Sequence, residues 1–136
     1  MKQSLLAVLF CVCCLGSFCG PVHAAYFDGM EAYRQNDYQT ALREFKAVEE
    51  DARALYMIGV MHEKGDGVTT DLAAAASWFR KAADKGNASA QYRLGRLYER
   101  GLGVDQNREE ASAWYKKSAR QGNVDAKQAL KRLEAK

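Results

Sequence analysis

Beyond its first 24 residues the chain has no cysteine and a single histidine, His62. Cys11, Cys13, Cys14 and Cys19 all lie in the N-terminal stretch, so their even number describes no disulfide framework for the rest. One imidazole without thiolates cannot supply the ligands of a structural zinc site. A histidine-based triad would need a nucleophile and an acid converging on His62, and no nucleophile elbow surrounds Ser77, Ser89, Ser112 or Ser118. His62 is expected to be a packed ring with one hydrogen bond.

An excess of one charge is also missing. The net charge of +3 includes Lys2, which leaves about +2 from residue 25 onward, far below the basic balance of a nucleic-acid binder. No alternating run is long enough to suggest a strand. The glycine pairs Gly65-Asp66-Gly67 and Gly101-Leu102-Gly103 follow helical patterns, and neither continues to the third glycine or the Gly-Lys-Ser/Thr of a phosphate cradle. They read as loop geometry. The carboxylates Glu49-Glu50-Asp51 and Glu109-Glu110 sit at expected helix ends, where they complement the dipole and do not share a face as an acid/base pair would. The sequence therefore offers no catalytic residue, no cofactor site and no metal site.

Long apolar runs are absent as well. Leu5 to Leu15 (LLAVLFCVCCL) spans 11 residues, too few to cross a bilayer. It follows Lys2 and precedes Gly16, Gly20 and Pro21, read as helix breakers, and Val22-His23-Ala24, a small-x-small pattern. Residues 1–24 thus read as a secretory signal peptide cut after Ala24, which places the protein in the periplasm or outside the cell and leaves no stable membrane span. Retention of the segment as an anchor is the alternative. Lipidation at Cys19 is disfavoured because Gly16-Ser17-Phe18 lacks the aliphatic and small residues such signals carry.

What is present is one unit written twice. Ala52 to Asn87 laid over Ala88 to Asn123 gives 14 identities in 36 positions, among them Tyr56/Tyr92, Gly59/Gly95, Gly65/Gly101, Gly67/Gly103, Val68/Val104, Ala75/Ala111, Trp78/Trp114 and Gly86/Gly122. A period of 36 with helical spacing means stacked helix pairs. Asp51, Asn87 and Asn123 precede the expected first helices, and Asp37, Asp71 and Asn107 the second ones, each able to cap free N–H groups. Asn107 to Glu110 has capping-box spacing. Gly65 is expected to end its helix in a left-handed turn, with Gly67 as a second permissive position. Gly59 and Gly95 lie inside helices, at a cost of about 1 kcal/mol each. That cost implies close approach of the paired helix, with Ala75 and Trp78, or Ala111 and Trp114, against the bare backbone.

Residues 25–51 hold a shorter, degenerate pair: Tyr26 to about Arg34, then Tyr38 to about Glu50 with Ala41, Leu42, Phe45 and Val48 on one face. It is similar to a tetratricopeptide unit without the glycine loop. Residues 124–136 form a capping helix, Val124 to about Ala135, with Ala126, Leu130 and Leu133 inward and Lys127, Lys131, Arg132 and Lys136 in water.

The two full units read A-x-A-x-Y-x-[IL]-G-x-x-[HY]-E-[KR]-G-x-G-V, then A-x-x-W-[FY]-x-K-[AS]-A-x-x-G-N. This pattern resembles the Sel-1-like repeat family, within the tetratricopeptide-like superfamily, over about Asp51 to Ala135. The resemblance implies an all-α, right-handed helical-repeat solenoid of about three pairs plus the capping helix. It also implies a concave face lined by first helices, and a role as adaptor or scaffold for a protein or peptide. A cysteine-rich secreted branch binds or hydrolyses β-lactams and relies on a disulfide within each repeat, a feature that residues 25–136 lack. The alternative function is accordingly a secreted hydrolase or binder of β-lactams or cell-wall fragments.

The candidate binding surface is what packing leaves over on the first helices. If Ala54, Ile58, Gly59 and Met61 or His62 face the second helix, Arg53, Met57, Val60 and Lys64 remain outside, with Ser89, Arg93, Arg96 and Arg100 in the next unit. Arg93, Arg96 and Arg100 fall at i, i+3 and i+7, a basic stripe beside the apolar pair Met57 and Val60. A partner with acidic groups next to an apolar anchor would fit, and Tyr26, Met30 and Tyr33 could extend the groove.

Overall fold

The structure is a computed structural model that describes residues 20–135. The apolar part of the expected leader, residues 1–19, lies outside the described residues. Within them the chain forms seven helices and no strand: α1 (Pro21–Arg34), α2 (Tyr38–Lys46), α3 (Ala52–Lys64), α4 (Leu72–Asp84), α5 (Ala88–Arg100), α6 (Arg108–Arg120) and α7 (Val124–Glu134). Each helix packs on its neighbours in sequence, so the array is three antiparallel pairs closed by α7.

Two helix boundaries differ from expectation. Helix α1 begins at Pro21, not Tyr26, because proline at the first helical turn gives up an N–H that has no intrahelical partner anyway; Pro21 opens a helix where a break is expected. Helix α2 ends at Lys46, four residues before Glu50. There Val48 N–H donates to the Phe45 carbonyl and Asp51 N–H to the Val48 carbonyl. These tight turns swing Val48 into the core.

The caps fall where the polar residues stand. Asp37, Asp71, Asn87, Asn107 and Asn123 each accept from the backbone N–H three residues on, and Asp51 from Arg53 N–H. The capping box at Asn107 is only half closed: Asn107 accepts from Glu110 N–H, but its own N–H donates to the Tyr98 carbonyl. Asp71 N–H reaches the His62 carbonyl in the same manner. The loop backbone thus takes the place of the returning carboxylate. Gly65 and Gly101 end α3 and α5 at φ 81° and 67°, the left-handed turn glycine permits without a Cβ penalty.

The bare helical glycines meet rings, not the tryptophans. A Cβ on Gly59 would lie 2.6 Å from the Phe79 ring, and one on Gly95 2.7 Å from the Tyr115 ring. The aromatic against the glycine is therefore the residue after each tryptophan. The first pair keeps the same lock, with Gly29 facing Phe45 at 2.7 Å. In all three pairs a tyrosine one turn earlier leans on that ring: Tyr26 on Phe45, Tyr56 on Phe79 and Tyr92 on Tyr115, at 6.0, 5.8 and 5.8 Å between centroids. The degenerate pair differs in its loop and not in its core.

Trp78 and Trp114 serve the next level of packing. Trp114 is buried in the cluster that α4 builds with α5, and Trp78 packs against the cluster of the first pair. Each holds a second helix to the preceding pair and carries a lysine ammonium on its face, Lys81 at 4.2 Å and Lys117 at 4.0 Å. The loops add a further contact between pairs. Gly103 lies so close to the start of α4 that a Cβ would fall 2.3 Å from the Leu72 carbonyl, and Gly67 stands over Tyr38 at the start of α2.

Candidate protein-binding surface

The first helices set every residue of the expected surface, but packing divides them differently. Met57 and Val60 are not open beside the arginines; they are 9% and 5% exposed, in the core clusters of the first and second pairs. The assumption that one face of α3 packs and the other is free does not hold, since α3 lies between pairs and is covered on both sides. In α5 the same positions carry Arg93 and Arg96.

Arg53 and Arg93 lie on the surface as expected, and both act first as bridges between pairs. Arg53 forms a 2.6 Å ion pair with Asp51, and its guanidinium lies 4.2 Å over the Tyr26 ring of α1. The hydrogen bonds from Arg53 hold the Asp51 carboxyl below the usual range. Arg93 reaches back from α5 to Glu63 on α3 at 2.5 Å, with side chains 28% and 20% exposed. Arg96 and Arg100 have no ion pair among the described residues; Arg96 is half-buried 5.9 Å from the Tyr92 ring, and Arg100 is exposed. Lys64 is exposed and touches Tyr33, which donates to Asp66 at 2.6 Å. The arginines of the row left without an ion pair among the described residues are thus Arg96 and Arg100. Met30 is half-buried, and Tyr26 and Tyr33 help to join the first two pairs.

A contact missing from the sequence reading closes the row. Glu99 accepts from Tyr115 hydroxyl at 2.6 Å and from Arg132 of α7 at 2.8 and 3.0 Å. Burial pushes the Glu99 carboxyl up, but the donated hydrogen bonds of Tyr115 and Arg132 outweigh it and leave the group below its ordinary value. A depressed carboxylate adds stability above its unfolded pKa, near 4.5, and that stability is lost as pH falls through the lower folded value. Glu99→Gln should therefore cost about 1–2 kcal/mol at neutral pH and flatten the fall of stability below pH 4.5. Urea midpoints from pH 7 downward check this; parallel curves for the two proteins would contradict it.

The candidate chemical groups do not converge. Ser118 is buried and spends its hydroxyl on the Ala88 carbonyl at 2.7 Å, whereas His62 sits on α3 with its Nδ1 buried and unbonded among the described residues. A shallow depression lined by Arg108, Glu109, Ser112, Ala113 and Lys116 lies along α6, away from the arginine row. No group of three or more metal-ligating side chains occurs among the described residues, and no helix there is long and apolar enough to cross a membrane.

Three locked helix pairs stacked through loop and tryptophan contacts define the class: a solenoid of two-helix repeats. The Sel1 repeat profile matches residues 52–87 and 88–123, and the chain belongs to the Sel1 repeat family. Members of this family are typically non-catalytic helical-repeat proteins that mediate protein–protein interaction. The Sel1 repeat protein from Oxalobacter formigenes superposes with a TM-score of 0.75 at 34% identity, over 77% of this chain and 44% of that one. A protective antigen of uropathogenic Escherichia coli strains with an SLR fold gives 0.71 at 35% identity, over 77% and 24%. The chain spans less than half the length of either. Helicobacter pylori cysteine rich protein B gives 0.66 at 20% identity, over 84% and 100%, a likeness of fold alone. A search of curated proteins finds no match.

Proposed function

We propose that this protein is an exported, non-catalytic scaffold that holds an acidic segment of another protein along its first helices. The observation that carries the reading is the asymmetry of the arginine row: Arg53 and Arg93 are satisfied by carboxylates of the chain itself, whereas Arg96 and Arg100 form no ion pair among the described residues. Arginine forks suit carboxylates bidentately, and the half-buried Tyr92 ring beside Arg96 supplies an apolar shoulder. Export rests on residues 1–24, read as a cleaved leader.

The test is capture from cell-envelope extract with the chain as bait. Arg96→Glu with Arg100→Glu should reduce recovery of the bound protein about tenfold or more with circular dichroism unchanged. Equal recovery would reject the surface. Mapping Arg93 in the same way is uninformative, because its loss leaves Glu63 unpaired and disturbs the fold.

A further inference from the structure

The two ends of the array are complementary to each other. The register fixed by Gly29, Gly59 and Gly95 aligns Phe27, Asp28 and Glu31 of α1 with Met57, Ile58 and Met61 of α3. In α3 those three residues are buried among residues of the first pair. In α1, which has no pair before it among the described residues, the same stripe is open: Phe27 is 53% exposed, and Asp28 and Glu31 are exposed.

The opposite end carries the counterpart. The caps Asn87 and Asn123 align Val124, Lys127 and Lys131 of α7 with Ala88, Gln91 and Gly95 of α5. In α5 this side meets α6: Gly95 receives the Tyr115 ring, and the Ala88 carbonyl receives the Ser118 hydroxyl. Lysine at position 131 occupies the glycine's place, so no helix can dock there in the same way. That side of α7 presents Val124, 62% exposed, with two ammonium groups.

Each end thus offers one large apolar side chain and two like charges at helical spacing, acidic on α1 and basic on α7. The rest of the chain follows the same division. Residues 25–92 hold 11 Asp or Glu against 8 Lys or Arg, and residues 93–136 hold 6 against 11. Glu31 has a neighbour in Arg34 at 3.3 Å, but both are more than half exposed, and such surface pairs exchange readily.

We propose that copies of this chain associate head to tail, the basic stripe of α7 in one copy lying on the acidic stripe of α1 in the next. Such a contact is heterologous: it does not close at two copies, and it leaves a free end of each kind wherever the turn between successive copies does not close a ring. It is also salt-dependent, since the charges are exposed. The next copy's α1 then lies on the side of α7 that α5 gives to α6, and Arg96 and Arg100 of α5 take no part in the joint.

Sedimentation of the chain from Ala25 onward, the form left by the expected cleavage, over a concentration series tests this. At about 10 mM ionic strength, where exposed charges act over about 30 Å, the weight-average mass should climb from that of one copy past twice that value without a plateau. At about 1 M ionic strength it should stay at one copy. Lys127→Glu with Lys131→Glu, and separately Asp28→Lys with Glu31→Lys, should each abolish the rise by making both ends alike. Mixing the two variants should restore it, because every joint then pairs opposite charges again. A single copy at all concentrations in low salt, a plateau at two copies, or a mixture that stays monomeric would each overturn the proposal.

Discussion

Phe79→Ala should lower the stability of this chain by about 3–5 kcal/mol, the usual cost of emptying a buried aromatic site. A small domain has only about 5–15 kcal/mol in total, so the variant stands near the edge of folding at ambient temperature. The ring is fully buried, touches the bare backbone at Gly59 and is braced by Tyr56. The lock can be tested from its other side. Gly59→Ala places a Cβ 2.6 Å from Phe79 ring carbons, an overpacking expected to cost about 1–3 kcal/mol. In the double variant the methyl enters space the ring has vacated, so the combined loss should fall short of the sum. Urea denaturation of the four proteins gives the coupling; simple additivity would show that glycine and ring do not act as one unit.

The second large effect lies between pairs. Gly103→Ala should cost about 2–4 kcal/mol, since its Cβ would stand 2.3 Å from the carbonyl carbon and oxygen of Leu72 and 2.6 Å from the nitrogen of Ala73. Those atoms are helix backbone and cannot rotate away as a side chain would. The loop must lift off the start of α4, loosening the joint between the second and third pairs. Gly122→Ala is the control: its φ of 92° is as far into the left-handed region, yet nothing lies within 4 Å of the added carbon. Only conformational strain remains there, about 1–2 kcal/mol. If both substitutions shift the urea midpoint equally, the close approach contributes nothing beyond the turn itself.

The period of 36 residues made the architecture legible from sequence, because glycine, tryptophan and cap residues recur only where the backbone repeats its shape. The same signal placed the starts of α3 to α7, each just after its cap residue. It misjudged the glycine's partner since Trp78 and Phe79 are adjacent, and spacing alone does not say which of two neighbouring rings turns toward α3. The third copy of the lock, Gly29 on Phe45, escaped notice because the first pair lacks the glycine loop and so falls out of a fixed-period alignment.

The binding surface was less legible, for a reason particular to solenoids. A helix on the surface of a two-layer protein has one covered face, whereas α3 is packed by the pairs on both sides, which buried Met57 and Val60. Arg53 and Arg93 were recognisable as exposed bases, but their ion-pair partners come from a cap residue and from the neighbouring first helix. Pairing across 30 residues of sequence, as between Arg93 and Glu63, leaves no local pattern to read. The opposed charges of α1 and α7 became meaningful only once the structure showed which sides of those helices lie uncovered.

Recognition by the first helices is most directly tested by moving the same charge reversal from one face to the other. Arg96→Glu with Arg100→Glu on α5 and Lys116→Glu with Arg120→Glu on α6 change the net charge equally at the same spacing, and both leave the helical locks in place. In matched capture from envelope extract, the α5 variant should lose the bound protein about tenfold or more while the α6 variant keeps it. Equal loss from both would reduce the interaction to overall charge, and loss from the α6 variant alone would put the binding surface on the second helices.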